Sequence, residues 1–217
     1  LGMNKDEVSG TLRVGSIESL INPYSTKLIT EYHRRFPKVK LDIRTSHTTD
    51  LLQMIKQNAL DVAVGFGRKI ADRDCCIAYA RPFRLSFVAH PKNELAGQRK
   101  IRLEEVLAQP LLLTERDSIY RQELEEMAAN EDALISPTIE IDNTMILMEL
   151  VQRGLGISFL PNYIFQESLS KEKLSILDVK NCNKKFWCQI FHHRNKWVSP
   201  AMKAFVDLTV NSFQTNL

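Results

Sequence analysis

The stretch from Asp142 to Pro161 restricts the fold of this chain more than any other. Asp142 and Asn143 are both good N-caps, because a short side-chain oxygen can accept from the unpaired amides of a first helical turn. Leu147, Leu150 and Val151 recur at helical spacing, so they predict a helix with one apolar face. Gly154 supplies the left-handed residue that closes such a helix. Ile157 to Leu160 then read as a short buried strand that Pro161 stops. Helix, glycine turn and strand make half of a βαβ crossover, which points to an α/β fold. Met145 and Met148 lie off the Leu147/Leu150/Val151 face. A helix apolar on more than one side is either a central core helix or one that also meets another subunit, and both readings stay open here.

The remaining elements follow the same alternation. Thr11 to Ser16 is expected to be a strand ending in a glycine and small polar residues, and Pro23 a first-turn proline of the helix marked by Leu28, Ile29, Tyr32 and Phe36. Val39 to Arg44 alternates as a strand covered on one face. Thr48 is the expected cap of the helix carrying Leu51, Leu52 and Ile55, and Asn58 fits its left-handed end. Leu60 to Gly67 is apolar on both sides, as in a parallel strand between helices. Beyond a turn-rich connector, Ile77–Ala80 and Phe83–Ala89 predict two strands, and Leu103–Leu107 a helix. Leu111–Thr114, Ile119–Ala129 and Thr138–Ile141 predict a strand, a helix and a strand leading into the opening stretch. Ser175–Val179 and Phe186–Phe191 are later strands, and Pro200 begins a closing helix.

The expected architecture is therefore α/β, with two Rossmann-like lobes joined by two crossover strands. Lobe I would take residues 10–86 with 190–217, lobe II residues 87–189, and residues 1–9 would end a linker. Ligands of open α/β sheets sit at the carboxyl ends of the strands, where helix N-termini present unpaired amides. A cleft between the lobes would be lined by loops rich in hydroxyl and amide groups. These are Ser16 to Ser19 (including Ile17 and Glu18), Ser46, His47 and Thr48, Phe66 and Gly67, Thr114 to Ser118, and Asn143 with Thr144. Thr48, Ser118 and Asn143 serve equally well as plain helix caps.

Composition narrows the function. The chain of 217 residues has 29 basic and 26 acidic side chains, a net charge of +3, and no basic run interleaved with aromatics. The electrostatic footprint of a nucleic-acid surface is missing from this segment. No long apolar run suggests a membrane span, and Leu1 to Ser9 carry no apolar signal core, so a cytoplasmic location is expected. Cys75, Cys76, Cys182 and Cys188 match no zinc or redox spacing and are expected to be reduced. There is no Gly-x-Ser-x-Gly or His-Glu-x-x-His motif, and Gly154-Leu155-Gly156 lacks a third glycine and follows a helix. Catalysis, a cofactor and a bound metal are not expected.

Three segments together resemble the effector-binding domain of LysR-type transcriptional regulators. They are Gly10-Thr11-Leu12-Arg13-Val14-Gly15, Thr48-Thr49-Asp50-Leu51 running to Leu60-Asp61-Val62-Ala63-Val64, and Leu150-Val151-Gln152-Arg153-Gly154-Leu155-Gly156-Ile157-Ser158-Phe159-Leu160-Pro161. The resemblance implies the two-lobed fold of type II periplasmic binding proteins, with a small effector between the lobes. It also implies a homodimer or homotetramer, and an N-terminal winged helix-turn-helix that is absent from this chain and is the only part to touch DNA. By position it assigns effector contacts to Ser16, Ile17, Thr48, Phe66, Gly67, Asn143 and Thr144. A carboxylate effector would suit the helix N-termini, though Glu18 and Asp50 oppose an anion. Arg68, Arg116 or Arg121 would offset them, or the effector would be amino-acid-like and carry an amine. A solute-binding protein of a transport system would share this fold and is the alternative. Effector binding would shift a population between two arrangements of lobes or subunits, with the crossover strands as hinges.

Overall fold

The computed structural model describes residues 8–21 and 25–216. The expected helix start at Pro23 lies outside the described residues. The chain divides into two compact units, one up to Pro82 together with everything from Trp187 on, the other Phe83–Phe186.

The first unit is built on strands β1 (Gly10–Ser16), β2 (Val39–Thr45) and β3 (Val62–Gly67), the first part of β4 (Cys75–Ala89), and β9 (Lys185–His193). Strand β1 runs parallel to β2, from Gly10 opposite Val39 to Ser16 opposite Thr45, and to β3, with Val14 opposite Val62. Strand β9 pairs antiparallel with β3, Phe66 opposite Cys188 and Gly67 opposite Trp187. Every residue of β3 is buried, because helices cover both faces of the sheet. On one face lies α3 (Thr48–Lys56), whose Leu51 packs so close that a Cβ on Gly15 would stand 2.6 Å from it. On the other lie α1 (Glu18–Ile21), α2 (Ser25–Arg35) and α8 (Pro200–Asn216). Tyr32 of α2 joins them, donating to the Ala201 carbonyl at 2.9 Å and meeting the Phe205 ring edge-on at 5.6 Å. Asn58 has the expected left-handed backbone, φ 56°, beyond the end of α3.

The second unit contains the rest of β4, helices α4 (Leu103–Leu107), α5 (Ile119–Ala129), α6 (Thr144–Gln152) and α7 (Gln166–Ser170), and strands β5 (Leu112–Leu113), β6 (Ile139–Glu140), β7 (Ser158–Pro161) and β8 (Ser175–Ile176). Strand β4 pairs antiparallel with β7 and β8, while β5 runs parallel to β6. Gly154 closes the turn after α6 with φ 79°. Gly156 has a different reason to be glycine. Its amide-linked neighbour Ile157 donates to the Pro110 carbonyl at 2.9 Å, and a Cβ on Gly156 would lie 2.3 Å from that same oxygen.

Three expectations are corrected. Ile77–Ala80 and Phe83–Ala89 are one continuous strand of 15 residues, because Pro82 sits inside it without ending it. A 3-10 turn, Asn162–Ile164, and α7 follow β7 where no element was expected. Met148 lies on the core face of α6 with Leu147 and Val151, whereas Met145 and Ile146 are each 44% exposed. At about 100° per residue, Met148 stands one turn beyond buried Thr144 and three residues before Val151, so it belongs to the inner arc.

Candidate functional site

At the carboxyl end of the first unit's strands, the polar loops are tied to one another by backbone bonds. Ser46 N–H donates to the Ser16 carbonyl at 3.1 Å, and Ile17 N–H to the Val64 carbonyl at 3.2 Å. Ser16 and Ile17 are buried; the Ser16 hydroxyl donates to the Ile17 carbonyl at 3.2 Å. Ser46 donates to Asp50 at 2.9 Å, which directs one acidic side chain of this region toward a hydroxyl. Glu18 opens α1 and is half-buried.

Thr48 was expected to cap α3, and the structure corrects this. The cap position is held by His47, whose exposed side chain makes no cap bond, and Thr48 is the first helical residue. Its hydroxyl reaches β3 instead, donating to the Phe66 carbonyl at 2.9 Å and accepting from the Phe66 amide at 3.1 Å. A hydroxyl has one proton and two lone pairs, so one acceptor site remains. Gly65 makes the approach possible, since a Cβ there would lie 2.8 Å from Thr48 Cγ2. Space is open beside Gly67, where an added Cβ would meet nothing within 4 Å. The structure therefore gathers Ser16, Ile17, Ser46, Thr48, Phe66 and, through the α3 entry, His47 around one end of one sheet.

A residue that sequence reasoning missed holds the chain leaving this corner. Gln189, buried on β9, accepts from the Ile70 amide at 2.9 Å and donates to the Arg68 carbonyl at 3.0 Å. Two residues earlier, on the same side of β9, Trp187 carries the Lys69 ammonium 4.1 Å from its ring centroid. The polar glutamine within the apolar run Phe186 to Phe191 was the available signal.

In the second unit, Ser118 and Asn143 do cap helices. Ser118 accepts from the Arg121 amide at 3.2 Å and shares a short hydrogen bond with the Thr114 hydroxyl. Asn143 accepts from the amides of Met145, at 3.1 Å, and Ile146, at 3.0 Å. Thr144 is buried at the start of α6. Arg121, one of the cations considered for balancing an anion, is only 2% exposed and already paired, at 2.8 Å to Glu125 and 3.7 Å to Glu140. Its charge is thus shared with two carboxylates, while its Nη1 is buried without a hydrogen bond. Arg116 is exposed.

Among the described residues no group of three or more His, Cys, Asp or Glu could hold a metal ion. The four thiols are free. Burial pushes Cys75 up and Cys182 up to about 11, and drives Cys188 further in the same direction, so these three are poor nucleophiles. No helix among the described residues is long and apolar enough to cross a membrane.

Two α/β units sharing long strands, each with hydroxyls and helix amides at one end of its strands, define a two-unit ligand-binding domain. Within that class the chain belongs to the LysR substrate binding domain family, whose model matches residues 5–214. It is similar to the HTH-type transcriptional regulator YwqM of Bacillus subtilis, 24% identical over 209 residues that cover 96% of this chain and 71% of that protein. Among solved structures, the regulatory domain of CcmR from Synechocystis PCC6803 in complex with 2-PG superposes with a TM-score of 0.79. Identity there is 17%, with 95% of this chain and 99% of that one covered. The effector binding domain of QuiR in complex with shikimate gives a TM-score of 0.71 at 17% identity, covering 97% and 100%. The fold is that of these regulatory domains, of the type II periplasmic-binding-protein kind. The chain spans about two thirds of the length of the curated relatives it matches.

Proposed function

We propose that this chain is the small-molecule effector-sensing part of a LysR-type, DNA-binding transcriptional regulator of the cytoplasm. The observation that carries the reading is the Thr48–Phe66 corner within a chain of this family: a hydroxyl with a spare acceptor site, beside a helix start whose cap side chain makes no cap bond. The effector is held by Ser16, Ile17, Glu18, Ser46, His47, Thr48, Phe66 and Gly67 of the first unit, with Ser118, Asn143 and Thr144 contributing from the second. Its class is a carboxylate or amino-acid-like metabolite. Helix N-termini favour the carboxylate, and shikimate, which QuiR binds, has one. Glu18 and Asp50 favour an amine on the same molecule. DNA is contacted through an N-terminal winged helix-turn-helix outside this chain, and the protein works as a homodimer or homotetramer. The exposed Met145 and Ile146 on α6 support such an association. Binding shifts a population of arrangements only as far as its affinity differs between them. No catalytic step belongs to this reading.

The alternative, a solute-binding protein of a transport system, shares the fold, and the regulators among the relatives speak against it. The intact mass and location of the native protein separate the two. A cytosolic species larger by about one small domain at its N-terminus agrees with the regulator. An exported species of this length overturns it.

A further inference from the structure

In the antiparallel pair of β3 and β9, Gly65 stands opposite Gln189 and Gly67 opposite Trp187. Residues directly opposite each other in such a pair share a face of the sheet. That face is the one α3 covers, because a Cβ on Gly65 would stand 2.8 Å from Thr48 Cγ2. Trp187 therefore projects on the same side of the sheet as Thr48. Between them Gly65 and Gly67 leave the floor without side chains, and a Cβ on Gly67 would meet nothing within 4 Å. The half-buried indole thus borders open space at the carboxyl end of β3.

The Lys69 ammonium is held over this ring, 4.1 Å from its centroid. Lysine ordinarily swings on a flexible four-carbon stem. Here its backbone is fixed on both sides, since Gln189 donates to the Arg68 carbonyl at 3.0 Å and accepts from the Ile70 amide at 2.9 Å. The ring attracts the charge through its quadrupole, and an ammonium has three donors, so N–H groups remain for a further partner. Among the described residues Lys69 makes no ion pair. Two acidic side chains of this region are engaged elsewhere, Asp72 with Lys56 at 2.6 Å and Asp50 with the Ser46 hydroxyl at 2.9 Å.

We propose that Lys69 is the counter-charge for a carboxylate of the effector, and that Trp187 is the residue positioning it. This rests on the effector reading above and adds to it a contact outside the polar loops. A cation fixed in place without a carboxylate of its own, beside a floor free of side chains, receives the ligand's carboxylate.

NMR of the full 217-residue chain, titrated with acetate, acetamide and sodium chloride in turn, tests the assignment. Acetate is expected to give saturable shifts at the Trp187 indole N–H and at the Lys69 and Gly67 amides, which acetamide and chloride do not reproduce. The indole of Trp197 is the internal reference; it is 76% exposed and follows Lys196, which pairs with Asp61 at the start of β3. Lys69→Gln should weaken acetate binding by about fivefold or more, and Lys69→Arg should keep it. Trp187→Leu should weaken it as well, while Trp187→Phe, which retains a ring face, should restore it; a leucine variant that binds as the parent does removes the positioning role. Acetate shifts that are absent, matched by acetamide or chloride, or unchanged in Lys69→Gln overturn the proposal. The low-molecular-mass fraction of host cytosol separates the two claims. Shifts at Ser16 and Thr48 as strong in Lys69→Gln as in the parent sink the Lys69 assignment and leave the effector reading standing, whereas no such shifts in the parent overturn both.

Discussion

The Thr48 hydroxyl bonds both backbone polar groups of Phe66, donating to its carbonyl at 2.9 Å and accepting from its amide at 3.1 Å. One side chain thereby fixes the start of α3 against the end of β3. Thr48→Val, equal in shape but without the hydroxyl, leaves both groups of Phe66 without this partner and should cost about 1–3 kcal/mol in urea unfolding. Thr48→Ser should restore most of it. A Val variant as stable as the parent would show that water replaces the tie.

Asn143 is a cap in the ordinary sense. Asn143→Ala should lower stability by about 1 kcal/mol, with amide exchange speeding up first at Met145 and Ile146, the two residues whose amides it holds. Uniform acceleration across the second unit would instead point to a global effect.

How much of this could be read from the sequence differs by feature. The limits of α5, Ile119–Ala129, and the left-handed Asn58 were legible because caps, breakers and periodicity are local signals. The role of Thr48 was not, because it turns on a single position. One residue earlier it would cap, and one residue later it faces β3, and helix ends are uncertain by that much. The contacts of Gln189 were also out of reach, since its partners stand 119 and 121 residues away along the chain. The polarity of Gln189 showed that it needed partners, while only the fold shows which. The candidate site residues were chosen as polar loop residues at strand ends, and the structure gathers those of the first unit at one end of its sheet. It also shows that Arg121 is occupied by Glu125 and Glu140.

Gln189→Leu should free the connector after β3. The Ile70 amide and Arg68 carbonyl lose their bonds, at a cost of about 1–3 kcal/mol, and hydrogen exchange at Ile70 should rise well above that of its neighbours. Unchanged protection at Ile70 would mean that the Lys69–Trp187 contact suffices to hold the segment.

Asp61 gives the first unit an acid limit. Burial pushes its carboxyl up, but the Arg13 side chain, Lys196 and the Arg13 amide outweigh that and hold it at about 2. Arg13 lies at 3.0 Å and Lys196 at 2.7 Å. A folded-state value below the unfolded one, about 4, contributes stability that is present above pH 4 and lost as pH falls toward 2. The lost amount is about 2 kcal/mol. Asp61→Asn should be less stable at neutral pH and show a flatter acid profile between about pH 4 and 2. A parent-like slope in that variant would move the acid sensitivity to another carboxylate.

The central claim, that this chain senses a small molecule through the Thr48–Phe66 corner, is tested most directly by an amide NMR spectrum recorded with the low-molecular-mass fraction of host cytosol. The account predicts saturable shifts at Ser16, Ile17, Thr48, Phe66, Gly67 and Asn143, and their loss at the first five in Thr48→Val. Shifts confined to other residues, or a spectrum that does not change, would contradict it.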